Sequence, residues 1–527
     1  MKKAFTTATL FALAITLFNV AHSLFFAGDY DWDMDAFLYL GSRLKHGELL
    51  YVHDFETKLP FVQYLFFIPS ELGGIGVWRI LSFAIAVACG AIASRRLALH
   101  ACDQWPEKGS VTQLTLLLLS VFLMLLYSLP GSQSAQISMV AASAAYLSLA
   151  FFLTRANAPK PGRSIVITGI FWSLAVLTRP NYLYLAILYL LFLAWDGERN
   201  NRTRGWLSSS SLFFLGASLP VIAVFFPYLT RHNGALVLFE GLKALARYSQ
   251  GYRVSGLFIN QFLTLRLLLF SVVLLIVTLL PVSRILRKRT RLEPQLQKAA
   301  LFSALSILLL ELSFLRTFFH PHYAMMLAPY ATVLLFCFIV ETSPFPNPAF
   351  RGSGGVKTPA VLLSLLVALS AYRVTDNIIG MAQSRDIFSA NINDRHIDDQ
   401  LYRFLQQSKK AGLSFLVVEA PIYHMLLDEP RIGDGHPAIL RRVLLRKPAL
   451  GPISGNRLFS AETQRHPCNA LILSGKDLII SKPGSVFDEK FRQCADRKAH
   501  YHELHPPTLA GYHIYQKTSA GMQPDSP

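Results

Sequence analysis

The sequence predicts an all-α membrane bundle of about eleven transmembrane helices with a small α/β soluble domain at the C-terminus. Three observations carry this. Of 527 residues, 52% are hydrophobic and only 16% are charged, with a mean hydropathy of +0.38; soluble domains carry about a quarter charged residues. Apolar runs alternate with short basic loops. After about Thr375 the composition changes to that of a soluble domain. The +18 net charge alone would fit a nucleic-acid partner, but the basic residues sit between apolar runs, where topology explains them, and no nucleic acid is expected.

Lys2 and Lys3 precede an apolar run at about 4–26, long enough to span about 30 Å of hydrocarbon. A cleaved signal peptide is the rival reading, since Ala21-His22-Ser23 resembles a small-x-small site. Either way the following residues lie outside. Further spans read at 75–94, 111–129, 133–153, 164–178, 181–195, 207–229, 260–281, 299–318, 323–341 and 358–374. Alternate loops should be basic if cytoplasmic, and they carry Arg95, Arg96 and Lys108, then Arg155, Lys160 and Arg163, with like clusters after 195, 281 and 341. An odd number of spans from a cytoplasmic N-terminus leaves the C-terminal part outside. The chain therefore divides into a membrane domain, 1–374, whose outer loop 26–74 is rich in acids, and an extracytoplasmic α/β domain, 375–527.

The outer loop carries Asp31, Asp33 and Asp35 at alternate positions. From Asp33 to His46, Ala36, Phe37, Leu40 and Leu44 form one stripe while Asp35, Ser42, Arg43 and Lys45 face elsewhere, which predicts a helix lying in the membrane interface and ending at Gly47. A second surface helix is expected from Pro60 to Ile68, stopping before Pro69. The loop at about 231–260, with Glu240, Arg247, Tyr248, Tyr252 and Arg253, suits sugar and phosphate contacts or forms an interfacial helix. Arg266 and Glu311, each about 10 Å deep in a span, are expected to form a structural pair or to serve transport or catalysis. In the C-terminal part, a helix at 398–407 closed by Gly412 and strands at 413–418, 470–473, 478–480 and 512–515 are expected. Cys468 and Cys494 fall there and are able to pair if that part is outside the cytoplasm, although their spacing does not decide it; Cys102 falls in a loop.

Three crowded carboxylates raise one another's pKa, which suits a general base. They also suit a divalent cation, although Ala36 and Ser42 replace the glycine and glutamate of an EF-hand loop. Helix capping accounts for one acid rather than three. Lys58 beside Pro60 offers a cation at the interface, with Tyr51 nearby. Arg179-Pro180-Asn181 offers a second, either gripping phosphate in bidentate fashion or snorkelling to headgroups. His320-Pro321-His322-Tyr323 forms a third outer corner, suited to hydrogen bonding a phosphate or sugar. Together these describe a site for an anionic, lipid-linked substrate.

The series Asp33, Phe37, Gly41, Gly47, Tyr51, Lys58-Leu59-Pro60, followed by Thr-Arg-Pro-Asn at 178–181 and Pro-His-Tyr-Ala-Met-Met-Leu-Ala-Pro at 321–329, resembles the GT-C glycosyltransferases. That class includes the aminoarabinose transferase and the protein O-mannosyltransferases. The likeness covers residues 1–375; Phe37 stands for the usual tyrosine, Leu59 interrupts Pro-Pro, and the second outer turn, 129–136, lacks an acid. It implies inverting transfer of a sugar from a polyprenyl-phosphate donor to a hydroxyl on an envelope glycan, lipid or protein, at the outer face of a bacterial inner membrane. Asp33 would be the base. Asp31 and Asp35 would support it electrostatically or hold a divalent cation, magnesium or manganese. Lys58, Arg179 and His322 would steady the departing phosphate, with Tyr51, Asn181, His320 and Tyr323 as further substrate contacts. A transporter or flippase is the alternative, opposed by the absence of matching halves, and a non-catalytic scaffold the third.

Overall fold

A computed structural model describes residues 13–14, 16–18, 20–21, 32–52, 58–72, 74–102, 109–128, 136–198, 203–250, 294–316, 321–342, 400–401, 403–418, 477–481, 483, 486–493, 500–505, 509 and 511–518. In chain order its elements are α1 (Trp32–Arg43), α2 (Phe61–Leu72), α3 (Ile75–Cys102), α4 (Gly109–Ser128), α5 (Ile137–Leu153), α6 (Pro161–Thr178), α7 (Ala186–Glu198), α8 (Thr203–Leu229), α9 (Gly234–Gln250), α10 (Pro294–Arg316), α11 (Ala328–Thr342), β1 (Phe415–Val418), β2 (Leu478–Ser481), α12 (Val486–Gln493), β3 (Tyr501–Leu504) and β4 (His513–Lys517). Three-residue-per-turn helices at Pro180–Leu185 and Pro321–Leu327 lead into α7 and α11. The chain divides into two compact units. One comprises Met1–Gly28, Trp78–Val224 and Tyr252–Gly380, the other Asp29–Val77, Phe225–Gly251 and Met381–Pro527.

Among the described residues, four helices are long and apolar enough to cross a membrane: Ile75–Cys102, Pro161–Thr178, Gly205–Leu229 and Pro294–Phe314. Four shorter apolar helices, Val111–Tyr127, Ile137–Leu153, Pro180–Trp195 and His322–Cys337, coincide with further predicted spans. The predicted spans at 260–281 and 358–374 lie outside the described residues, as does most of the first. α8 exposes Leu207, Phe214, Leu215, Leu219 and Ile222 along its length, an apolar face that suits lipid contact. Cys102 ends α3 rather than lying in a loop, because the helix runs past its apolar stretch through Ala98 and His100. Cys468 and Cys494 lie outside the described residues.

The first unit is held by small residues and aromatic rings. Without a hydrophobic drive between helices in lipid, association depends on close backbone approach and buried hydrogen bonds. α6 and α8 cross at Gly169 and Gly216: a Cβ on Gly169 would collide with the Phe213 carbonyl, and one on Gly216 with the Val166 carbonyl. Ser148 on α5 donates to the Thr168 carbonyl of α6 at 2.9 Å and meets the Tyr189 hydroxyl at 3.1 Å. The Tyr189 ring then stacks on Phe213, with centroids 5.3 Å apart, and meets Phe302 of α10 at 5.0 Å.

The second unit contains a four-stranded mixed sheet in the order β1-β2-β4-β3, with β1 and β2 parallel and the other pairs antiparallel. The strands expected near 413–418, 478–480 and 512–515 are present. β3 was not legible, because Tyr-His-Glu-Leu carries no apolar run, and the strand expected at 470–473 lies outside the described residues. A helix at 403–410 ends at Gly412, whose φ of 78° requires the left-handed region. Behind the sheet, Asp488 of α12 is almost fully buried and accepts hydrogen bonds from Ser481 at 2.9 Å and Tyr515 at 2.6 Å, with His513 Nδ1 at 2.8 Å. Burial works to raise the Asp488 carboxyl, but the bonds from Tyr515, His513 and Ser481, with the charge of His513, outweigh it and hold the group below its ordinary 3.8.

Two outcomes follow. Gly169→Ala forces backbone apart at the α6–α8 crossing and should cost about 1–3 kcal/mol, seen as a lower melting temperature in detergent. Because Asp488 is depressed in the folded state, its stabilising contribution is present above 3.8 and lost as pH falls through the folded value. Thermal unfolding of the native chain should therefore drop steeply below about pH 4, whereas Asp488→Asn should start lower at neutral pH and lose less on the acid limb.

Candidate active site

α1 begins at Trp32, so the backbones of Asp33 and Asp35 lie in its first turn, where the helix dipole favours carboxylates. Asp31 lies outside the described residues. The helix turns through Leu44–His46 into Gly47, whose φ of 69° is left-handed and whose N–H donates to the Leu44 carbonyl at 2.9 Å.

α1 is not the surface helix its stripe predicts. Ala36, Phe37, Leu38, Tyr39, Leu40, Ser42 and Arg43 are all buried. Packing on several faces replaces water: α2 crosses so closely at Gly41 that a Cβ there would sit 2.5 Å from the Phe66 backbone, and Phe37 meets Phe66 with ring centroids 5.5 Å apart. Arg43, 1% exposed, pairs with Glu48 at 3.3 Å. α2 also departs from expectation. It runs through Pro69 to Leu72, since a proline late in a helix loses one backbone bond without ending it when packing supports the segment.

The Gly47–Val52 stretch is clasped from inside. Gln63 of α2, 1% exposed, accepts from the Leu50 N–H at 2.9 Å and donates to the carbonyls of Leu40 and Glu48 at 3.0 and 2.9 Å. Tyr228 donates to the Leu50 carbonyl at 2.9 Å and Arg231 to that of Gly47 at 2.6 Å. Tyr51 has a φ of 70°, a conformation that costs a bulky residue about 1–3 kcal/mol. It is held there because its fully buried ring lies on Gly241 and its hydroxyl donates to the Lys58 carbonyl at 2.6 Å. Tyr51, expected from the sequence as a substrate contact, is here the clasp that holds the Lys58 backbone. The Lys58 ammonium stands 5.6 Å from the centre of the Phe37 ring, within cation–π range.

The other unit holds a second corner. Pro180 forces Arg179 into extended backbone (φ −139°, ψ 102°), which ends α6. Arg179 is 2% exposed, donates to Gln136 Oε1 at 3.5 Å and lies 5.1 Å from the Tyr323 ring centre. That burial excludes snorkelling. Asn181 donates to Ser313 at 3.2 Å, and Tyr182 to the Met326 carbonyl at 3.0 Å, so the two proline-initiated turns are tied together. The His322 ring meets Tyr323 edge-on at 4.9 Å. His320 and Arg266 lie outside the described residues, and Glu311 is half-buried on α10. A buried guanidinium against an aromatic ring at such a break is chemically suited to an anionic group.

Of the loop expected at 231–260, residues 234–250 form α9, which carries Glu240; 251–260, with Tyr252 and Arg253, lie outside the described residues. Among the described residues no group of three His, Cys, Asp or Glu side chains could hold a metal ion. Gln63 and Gln136 escaped sequence reading. Each is a lone amide in or beside an apolar helix, the one signal that would have found them.

No family model and no curated protein matches the chain. Among solved structures it is similar to the archaeal oligosaccharyltransferase AglB of Archaeoglobus fulgidus in complex with an inhibitory peptide and a dolichol-phosphate (13% identity, TM-score 0.48, covering 99% of this chain and 75% of that one). The apo form of the Archaeoglobus fulgidus oligosaccharyltransferase gives 13% identity, a TM-score of 0.49 and the same coverage. Its complex with Zn and sulfate gives 13%, 0.48, and 99% and 74% coverage. The likeness is distant, and the reading of this chain rests on its own residues.

Gln63→Leu would leave three buried backbone groups without their partner, at about 1–3 kcal/mol each. Amide exchange at Leu50 should accelerate by at least about tenfold while α5 and α6 keep their protection.

Proposed function

We propose that this chain is an integral-membrane glycosyltransferase of the GT-C type, moving a sugar from a polyprenyl-phosphate donor to a hydroxyl acceptor on the outer face of a bacterial inner membrane. The observation that carries the reading is that Phe37 of the acid-bearing helix, Tyr51 and Lys58 are brought together, while Gly41 packs that helix on α2 and Gly47 ends it. That much buried hydrogen bonding on one polar loop is what a preorganised site requires.

In the proposed reaction Asp33 takes the proton of the acceptor hydroxyl as its oxygen attacks the anomeric carbon from the face opposite the phosphate. The carbon–phosphate-oxygen bond breaks, and the electron pair leaves on the polyprenyl phosphate. Cations matter most there because charge grows on that oxygen in the transition state. Lys58, Arg179 and His322 are assigned to it, with Arg179 favoured by its buried position and planar donors. Asp31 and Asp35 support Asp33 electrostatically. If a divalent cation is used, they are the residues assigned to hold it, and no step here depends on it. The acceptor is an envelope glycan, lipid or protein.

Cells carrying Asp33→Asn, with insertion verified, should lose one sugar mass from envelope glycans or glycolipids and accumulate the polyprenyl-phosphate donor, a fall of about 10²–10⁴-fold in transfer. Arg179→Lys should lower transfer by about 10²-fold without loss of folded protein. An unchanged envelope in Asp33→Asn, where deletion of the chain alters it, would instead point to transport.

A further inference from the structure

α1 is fixed by the C-terminal domain as well as by α2. Tyr39, 6% exposed, belongs to the same hydrophobic core as Leu401, Leu405, Phe415, Leu478, Ile480 and Ile514. These residues come from the helical segment before β1 and from β1, β2 and β4, so a ring from near the start of the chain fills the core of a sheet built at its end. Around Tyr39, Ser42 donates to the Tyr39 carbonyl at 2.7 Å, and the Arg43 guanidinium lies 5.4 Å from the Tyr39 ring while pairing with Glu48. From Tyr39 back to the first turn of α1 is under two helical turns, about 9 Å at 1.5 Å per residue.

We infer that Tyr39 is a positioning residue through which the C-terminal domain sets the acid-bearing helix, and hence Asp33, for proton transfer. The inference rests on the reading of Asp33 given above. The physical point is that a helix with no solvated face from Ala36 to Arg43 moves as one piece with whatever grips it, and displacement of a catalytic group by about 1 Å costs about 10²-fold in rate. Tyr39 touches no reacting atom in this scheme; it acts through α1.

The test uses the full-length chain in lipid nanodiscs for amide exchange, and the same variants in cells for the sugar-modified envelope product. Tyr39→Ala should speed exchange of the α1 amides by at least about tenfold, leave α5 and α6 at native protection, and lower product by at least about tenfold. Tyr39→Phe should restore both. Leu405→Ala, which opens the same core, should loosen α1 in the same way. Three results would overturn the inference: α1 protection unchanged in Tyr39→Ala, α1 loosened with product at the native level, or exchange rising in α5 and α6 in step with α1, which would make Tyr39 an ordinary core residue. Asp33→Asn run alongside separates the two claims, since native product in that variant sinks the assignment of Asp33 whatever α1 does.

Discussion

A helix buried around its circumference needs partners on every side, and α1 sets that requirement for the whole second unit. Met34, Phe37 and Leu38 are fully excluded from solvent, and even Arg43 is. α2 supplies one side through the Gly41 crossing and Phe66; the sheet core supplies another through Tyr39. Buried backbone in the turn that follows must be paired, because an unmet donor or acceptor in such a place costs more than a made bond returns. Gln63, Tyr228 and Arg231 do that pairing. The left-handed Tyr51 is tolerated only because these contacts over-determine it.

In the first unit the corresponding constraint is a pair of proline-started turns. Runs of six and seven residues at three per turn, Pro180–Leu185 and Pro321–Leu327, are longer than that geometry usually sustains. Each gives up part of a span's regular hydrogen bonding, and the lost bonds are replaced by side chains: Trp172 to the Tyr182 carbonyl at 3.1 Å, Tyr182 to Met326, Asn181 to Ser313. The break in α6 is what delivers Arg179 into the interior beside Gln136 and Tyr323 rather than to the headgroups. Irregular backbone and a buried cation at a helix end are a combination that serves anion binding in membrane proteins.

Most of the helical punctuation is legible in the chain itself. The ends of α1, α6 and the 403–410 helix follow from Gly47, Pro180 and Gly412, whose backbone preferences are local. Apolar runs located the long helices, since a lipid-compatible span needs about 20 apolar residues whatever surrounds it. Composition also separated the C-terminal sheet region from the spans. Long-range packing is what buries α1 instead of leaving it interfacial, keeps Pro69 inside a helix, sets Tyr51 against Lys58 and puts Tyr39 in the sheet's core. In each case the deciding energy comes from residues distant in the chain: Phe66 and the strands for α1, Gly241 for Tyr51, Leu401 and Ile514 for Tyr39. Periodicity reports which face of a helix is apolar, but the number of faces that find a partner is a property of packing, and that is written in no single stretch of the chain.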